Sequence, residues 1–186
     1  MRFVEVTLAA PRDRVAELES LYDGTTGETK LRFRGEDGEP FHHFALLVPG
    51  DRFDAARAWA EERFELAGGV FDFESWDAQA VYFLDPAGNI VELIAHRGLE
   101  ENGRSGAFAP EEIVGLSELG IVGDKRALLA ELEASGLELW DGELDDPDRL
   151  AFVGEKGRTL ILAEPGRGWL PTGRPAEAHP VEFVLG

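Results

Sequence analysis

The stretch Ala80–His96, AVYFLDPAGNIVELIAH, sets two apolar runs around a tight turn and places one carboxylate, Glu92, inside the second run. Asp85-Pro86-Ala87-Gly88 has turn chemistry throughout: aspartate opens it, proline presets the next φ and glycine supplies a positive one. The stretch therefore reads as a β-hairpin. Glu92, between Val91 and Leu93, would be costly if buried without a partner, so its neighbours should be water, a cation or a hydrogen-bond donor.

Working outward, three segments open alike, with an alternating strand, a turn and an amphipathic helix. In the first, Phe3 to Ala9 precedes a helix from Arg12 to Tyr22, with Val15, Leu18 and Leu21 on one face. In the second, Phe41 to Val48 precedes a helix capped by Asp51 and reaching about Phe64, with Phe53, Ala56 and Ala60 inward. In the third, Ile113 to Val122 precedes a helix capped by Asp124, running through Ala134 and closed by Gly136. The second continues through strands at Val70–Phe73, Ala80–Leu84 and Asn89–His96; the third through Leu137–Trp140, Leu150–Val153 and Thr159–Ala163. The first is shortened, with only Lys30–Arg34 left before Phe41. The expected architecture is α+β, built from repeated strand-helix-three-strand units. Residues 1–96 form the first expected domain and 97–110 a polar, glycine-containing linker. Residues 111–186 carry the third unit and end in an edge strand at Val181–Leu185.

At 186 residues the chain can bury a core, and no apolar run approaches the roughly 18 to 20 residues of a membrane span. The opening residues MRFVEVTLAA lack the apolar region of a signal peptide, so the expected location is the cytoplasm. With 37 acidic against 18 basic residues and a net charge of -19, nucleic acid and anionic membranes are expected to be excluded as partners. There is no cysteine, so any metal must be held by His, Asp or Glu.

Strand alternation sorts the polar residues. Val4, Val6 and Leu8 should pack on a helix, leaving Glu5 and Thr7 opposite. Phe44, Leu46 and Val48 take the helix side, leaving His43 and Ala45. Val91, Leu93 and Ala95 do the same, leaving Glu92 with Ile90, Ile94 and His96. Glu5, His43 and Glu92 thus share the face away from the helices, and on a curled sheet they would converge as a divalent-cation site. The same residues could be an exposed strand carboxylate, half of a cross-strand pair and a structural histidine. Arg32 and Arg34 could neutralise Glu5 or Glu92, or bind an anionic substrate. Trp76 and Tyr82 read as core or cavity wall, and His42 faces away from His43. His179 and Glu182 reach a site only if the tail folds back.

HHFALLVP followed by a helix, and then VYFLDPAGNIVEL, resemble the vicinal oxygen chelate superfamily, which includes glyoxalase I, extradiol dioxygenases, methylmalonyl-CoA epimerase and bleomycin resistance proteins. The resemblance implies paired βαβββ modules whose mixed sheets curl around a cavity, with helices on the outer face. It places metal ligands at Glu5, His43 and Glu92. The leading expectation is a divalent ion holding two vicinal oxygens of a small substrate while an enediolate is stabilised; the oxygen-rich donor set suits Zn, Ni, Mn or Fe, Glu5 or Glu92 is the expected proton shuttle, and Arg32, Arg34, Trp76 and Tyr82 are the expected substrate contacts. Glu5 departs from the histidine found in many relatives. Glu118 occupies the opening ligand position of the third unit, but Ile161 stands where Glu92 has its counterpart, so no second metal site is expected there. The third unit is expected to pack on the other two or to form a homodimer contact. The alternatives are an extradiol-type dioxygenase, for which His42, His96 or His179 would act as acid-base, and a binding protein without catalysis.

Overall fold

The computed structural model describes residues 1–186. The first segment forms β1 (Phe3–Pro11), α1 (Val15–Tyr22) and β2 (Lys30–Glu36). The second forms β3 (His43–Leu47), α2 (Phe53–Glu61), β4 (Phe71–Phe73), β5 (Ala78–Leu84) and β6 (Ile90–His96). The third forms β7 (Gly115–Val122), α3 (Lys125–Glu133), β8 (Leu139–Gly142), β9 (Ala151–Glu155) and β10 (Arg158–Ala163). The tail adds β11 (Gly168–Trp169), β12 (Arg174–Pro175) and β13 (Val181–Leu185). No helix is long and apolar enough to cross a membrane.

The second and third segments join in one eight-stranded sheet of order β4-β5-β6-β3-β7-β10-β9-β8. Its two halves mirror each other: β3 runs parallel to β6, β7 runs parallel to β10, and β3 and β7 meet antiparallel at the centre. The arrangement is a mixed sheet curled into a half-barrel, with the helices outside. The pairing of module with module expected within residues 1–96 therefore does not occur; residues 43–96 pair with 115–163. The first segment has too few strands to complete a module. Its β1 and β2 run parallel and β13 adds antiparallel to β1, making a separate three-stranded sheet. That sheet and α1 share one core with the outer face of the large sheet, where Phe3, Leu8, Leu18 and Phe33 join Phe44, Leu116 and Leu119.

Of the two expected helix caps, one forms and one does not. Asp51 does not cap α2. Its carboxylate accepts the backbone N–H groups of Asn102 and Gly103 at 3.2 and 2.8 Å. Arg52, buried, reaches Glu112 at 2.9 Å and the carbonyls of Arg104, Gly106 and Ala107. The connection over residues 97–110 is thus tied to the start of α2. Asp124 does cap α3, accepting from Ala127 N–H at 2.9 Å.

Candidate functional site

The cavity lies on the concave face of the eight-stranded sheet, with a volume of about 470 Å³. Three buried side chains meet at its floor: His43 from β3, Glu92 from β6 and Glu118 from β7. Their ligand atoms all lie within 4.8 Å of one another.

Each arrives there for a local reason. The hairpin turn sets His43. Asp85 accepts from the backbone of Ala87 and Asn89 at 3.0 Å each, and its other oxygen takes the Asn89 amide at 2.8 Å and the Tyr22 hydroxyl at 3.0 Å. So fixed, Asn89 accepts the backbone N–H of His42 at 2.7 Å, and Ile90 N–H donates to the His42 carbonyl at 2.8 Å. Nδ1 of His43 lies 3.0 Å from the Ile90 carbonyl, which can only accept, so Nδ1 carries the proton. Nε2 is left with a free lone pair, 3.6 Å from Glu92.

Glu118 depends on an irregularity. Ala45 pairs with Glu118 but Leu46 pairs with Leu116, so the register slips by one residue at Ser117. Leu116 and Leu119 both pack in the outer core, while Glu118 turns into the cavity. Strict alternation would put Leu116 and Glu118 on one face, and a bulge re-aims the side chain.

The electrostatics suit a cation. Burial, and then the neighbouring Glu118 charge, push the Glu92 carboxyl well above the ordinary range, with the Tyr82 hydroxyl acting in the opposite sense. Burial pushes Glu118 up to about 8 and lowers His43 to about 4, so the imidazole is neutral at pH 7. One oxygen of Glu92 and one of Glu118 are buried with no hydrogen-bond partner. Two partnerless carboxylate oxygens beside an available imidazole nitrogen are a donor set that a divalent ion satisfies, while the Nδ1 contact holds the ring in the metal-binding tautomer.

The wall is aromatic. Tyr82 sits opposite Glu92 across β5 and β6, with its ring centroid 6.2 Å from that of His43. Trp76 packs on Phe152 at 4.6 Å, and its Nε1–H donates to Asp141 at 2.5 Å. The tail folds back over the rim, where Trp169 lies 4.9 Å from the His43 ring. Gly120 makes room for it, because a Cβ there would come within 3.0 Å of both the Trp169 ring and the His43 carbonyl. Beside the tail, buried Lys125 donates to the carbonyls of Glu143, Asp146 and Arg149 at 2.7 to 2.9 Å, holding the loop that presents Asp148 and Leu150 to the cavity.

The expected ligand set is corrected at one position. Glu5 lies on β1, in the other sheet, and pairs with Arg32 at 3.2 Å and Lys30 at 3.8 Å while remaining partly exposed. Because β1 never enters the cavity sheet, Glu5 can neither ligate nor shuttle protons there. Arg32 and Arg34 on β2 are likewise removed from the cavity; Arg34 pairs with Glu36 and Glu182. The structure does bring His43 and Glu92 together, and it puts Trp76 and Tyr82 on the cavity wall. The carboxylate that lies beside His43 and Glu92 in the cavity is instead Glu118. Its signal in the sequence is that of Glu92, a lone carboxylate in an apolar strand, but it lies in a unit that the sequence alone does not pair with the site. His42 points outward to the Ala9 carbonyl at 3.0 Å with His179 beside it, and His96 lies buried behind Trp76.

No protein-family model matches the sequence, and no curated protein matches it. Among solved structures the chain is similar to glyoxalase I from Zea mays, with a TM-score of 0.54 and 16% identity over 88% of this chain and 66% of that one. It is also similar to a proposed dioxygenase from Bacillus subtilis, with a TM-score of 0.59 and 16% identity over 97% of this chain and 68% of the other. The chain spans about two thirds of the length of each. At this identity the likeness shows the fold.

Proposed function

We propose, from a vicinal oxygen chelate fold with a buried His-Glu-Glu set on its concave face, that this chain is a metal-dependent enzyme of the isomerase or lyase type acting on a small substrate with vicinal oxygens. The observation that carries the reading is the convergence of His43, Glu92 and Glu118 within 4.8 Å, with a partnerless oxygen on each carboxylate. His43 Nε2 and the two carboxylates would hold the ion, and the set of one nitrogen and two oxygens suits Zn, Ni, Mn or Fe. When bound, such an ion supplies a Lewis acid that polarises substrate oxygens.

The rest falls to the protein. Ile161 stands on β10 opposite Gly120 as Glu92 stands on β6 opposite Ala45, so the cavity side of the site presents an apolar face to an incoming ligand. Trp169, Phe152 and Tyr82 displace water and would orient a small flat molecule. The activity of glyoxalase I supports the reaction type by analogy of fold only.

Metal analysis of purified protein after reconstitution, followed by a screen of hydroxycarbonyl and hemithioacetal substrates, tests the reading. About one divalent ion per chain is expected, and it should be lost in Glu92→Gln and Glu118→Gln. A wild-type protein that binds no divalent ion would sink it. The aromatic wall also favours a second reading, sequestration of a small molecule without turnover, which tight binding of unaltered ligand would support.

A further inference from the structure

Neither terminal nitrogen of the Arg167 guanidinium is paired: Nη1 is buried without a partner, and Nη2, which is not buried, makes no hydrogen bond and is left open to a ligand. Arg167 lines the same cavity as His43, Glu92 and Glu118. Its Nε donates only to the Asp148 carbonyl, at 3.3 Å, and its guanidinium carbon lies 6.0 Å from the centre of the Trp169 ring that itself covers His43. The charged groups nearest to it, Asp148 and Arg149, oppose each other in sign, and it forms no ion pair.

A buried donor left unpaired is destabilising, and more so when charged. Asp141, Asp148 and Arg149 line the same cavity, but none forms an ion pair with Arg167, and Glu92 and Glu118 would be taken up by the ion. The guanidinium is therefore left for an anionic group to pair. A guanidinium offers a planar fork of N–H donors that matches a carboxylate edge-on.

Resting on the reading of His43, Glu92 and Glu118 as a metal site, we infer that Arg167 binds an anionic oxygen group of the substrate, which is therefore a small monoanionic 2-hydroxy or 2-oxo carboxylate. The tail that carries Arg167 then has two tasks: Trp169 seals the floor beside His43 and Arg167 selects for negative charge at the rim. A cavity of about 470 Å³ admits a molecule of this class.

The test is calorimetric titration of wild type, Arg167→Met and Arg167→Lys with three probes, each with Mn(II) loaded and again after EDTA treatment. Lactate carries vicinal oxygens and a charge, hydroxyacetone carries vicinal oxygens without one, and methylphosphonate is an anion of another acid. Wild type should bind lactate at least about tenfold more tightly than hydroxyacetone, Arg167→Met should bring the two within about threefold, and Arg167→Lys should fall between. Bound Mn(II), measured separately, should be unchanged in both variants. A wild-type protein indifferent to charge, or an Arg167→Met variant that keeps the preference, overturns the inference while leaving the metal site standing. Methylphosphonate binding more tightly than lactate overturns the carboxylate assignment. If no Mn(II) binds but the EDTA-treated protein prefers lactate and loses that preference in Arg167→Met, the metal reading fails and the role of Arg167 stands.

Discussion

Replacing Glu118 by glutamine should separate the stability of the metal-free chain from its affinity for a cation. In the folded chain the Glu118 carboxyl titrates at about 8, against 4.5 when unperturbed, because burial disfavours its charge. A raised folded value means that folding takes up a proton. The stabilising contribution is therefore fully present below about pH 4.5, declines as the pH rises, and is gone above about pH 8. Each unit is worth about 1.4 kcal/mol, so wild type should lose about 3 kcal/mol relative to Glu118→Gln between pH 5 and pH 7. The glutamine amide is itself a buried polar group, costing about 1–3 kcal/mol at every pH, so the diagnostic is the widening of the gap and not its starting value. Urea unfolding in EDTA at pH 5, 7 and 9 measures it. Repeating the series with a divalent ion at a hundredfold excess over its dissociation constant should return about 2.7 kcal/mol to wild type and nothing to the variant. A gap that stays constant with pH, or narrows on going from pH 5 to pH 7, would refute the assignment of Glu118 to a buried site in contact with no neutralising group.

Glu5→Ala should leave metal stoichiometry unchanged and cost less than about 1 kcal/mol, because Glu5 pairs with Lys30 and Arg32 at a partly exposed surface; metal analysis showing loss of the ion would restore Glu5 to the site. Trp169→Ala, removing a buried ring that covers His43, should cost about 3–5 kcal/mol in thermal unfolding and speed metal release to a chromogenic chelator, and an unchanged release rate would mean that the tail does not guard the site. Arg52→Ala should cost about 3–5 kcal/mol at pH 7 because it strands buried Glu112. Glu112, held at about 2 chiefly by its hydrogen bond to Arg52, contributes stability above about pH 4.5 that is lost as pH falls through about 2. Acid unfolding of the variant should accordingly show this contribution reduced, with the Asn102 and Ala109 hydrogen bonds keeping part of it, and a profile identical to wild type would contradict it.

Much of the fold was legible because short-range rules wrote it. The hairpin at Ala80–His96 formed as its turn residues required, with Gly88 at φ 77° and Asp85 closing the turn. The cap at Asp124 and the outer faces of β3 and β6 followed from the same kind of rule. Partner choice between modules did not, because any half with four strands and one free edge can accept either neighbour. Nothing in the alternation of β1 says that it will leave the large sheet. The count of strands does: one strand after α1 cannot make a half, and the third segment has all four. Glu118 was legible as the opening position of the third unit, but not as a partner of His43 and Glu92, because that follows from the pairing of β3 with β7; the bulge at Ser117 that turns Leu116 to the outer face leaves no mark in a strand rich in leucine. Arg167 lay in a glycine- and proline-rich tail, where no periodicity says what a side chain meets.

Two carboxylates buried in one cavity are a feature that folding alone disfavours, since each would be more stable in water and each raises the other's cost. The hydrophobic core that tolerates them is large and lies on the opposite face of the same sheet, where Phe44, Leu93, Leu116 and Leu119 pack under the three-stranded sheet. That division explains why the first segment left the cavity. If β1 and β2 had completed a half-barrel with β3, the outer face at the β3–β7 seam would have lacked its cover, and the bulged Leu116 would have faced solvent. With the cover in place, β7 is held from behind by Thr29, whose hydroxyl donates to the Phe3 carbonyl and accepts the Leu116 N–H, both at 2.9 Å, and the start of β3 is held by His42, whose Nε2 lies 3.0 Å from the Ala9 carbonyl. The seam is thus tied to the first segment near His43 and Glu118. The proposed metal site needs donors held in place before the ion arrives, and the segment that supplies none of the proposed ligands is tied to the strands that carry two of the three.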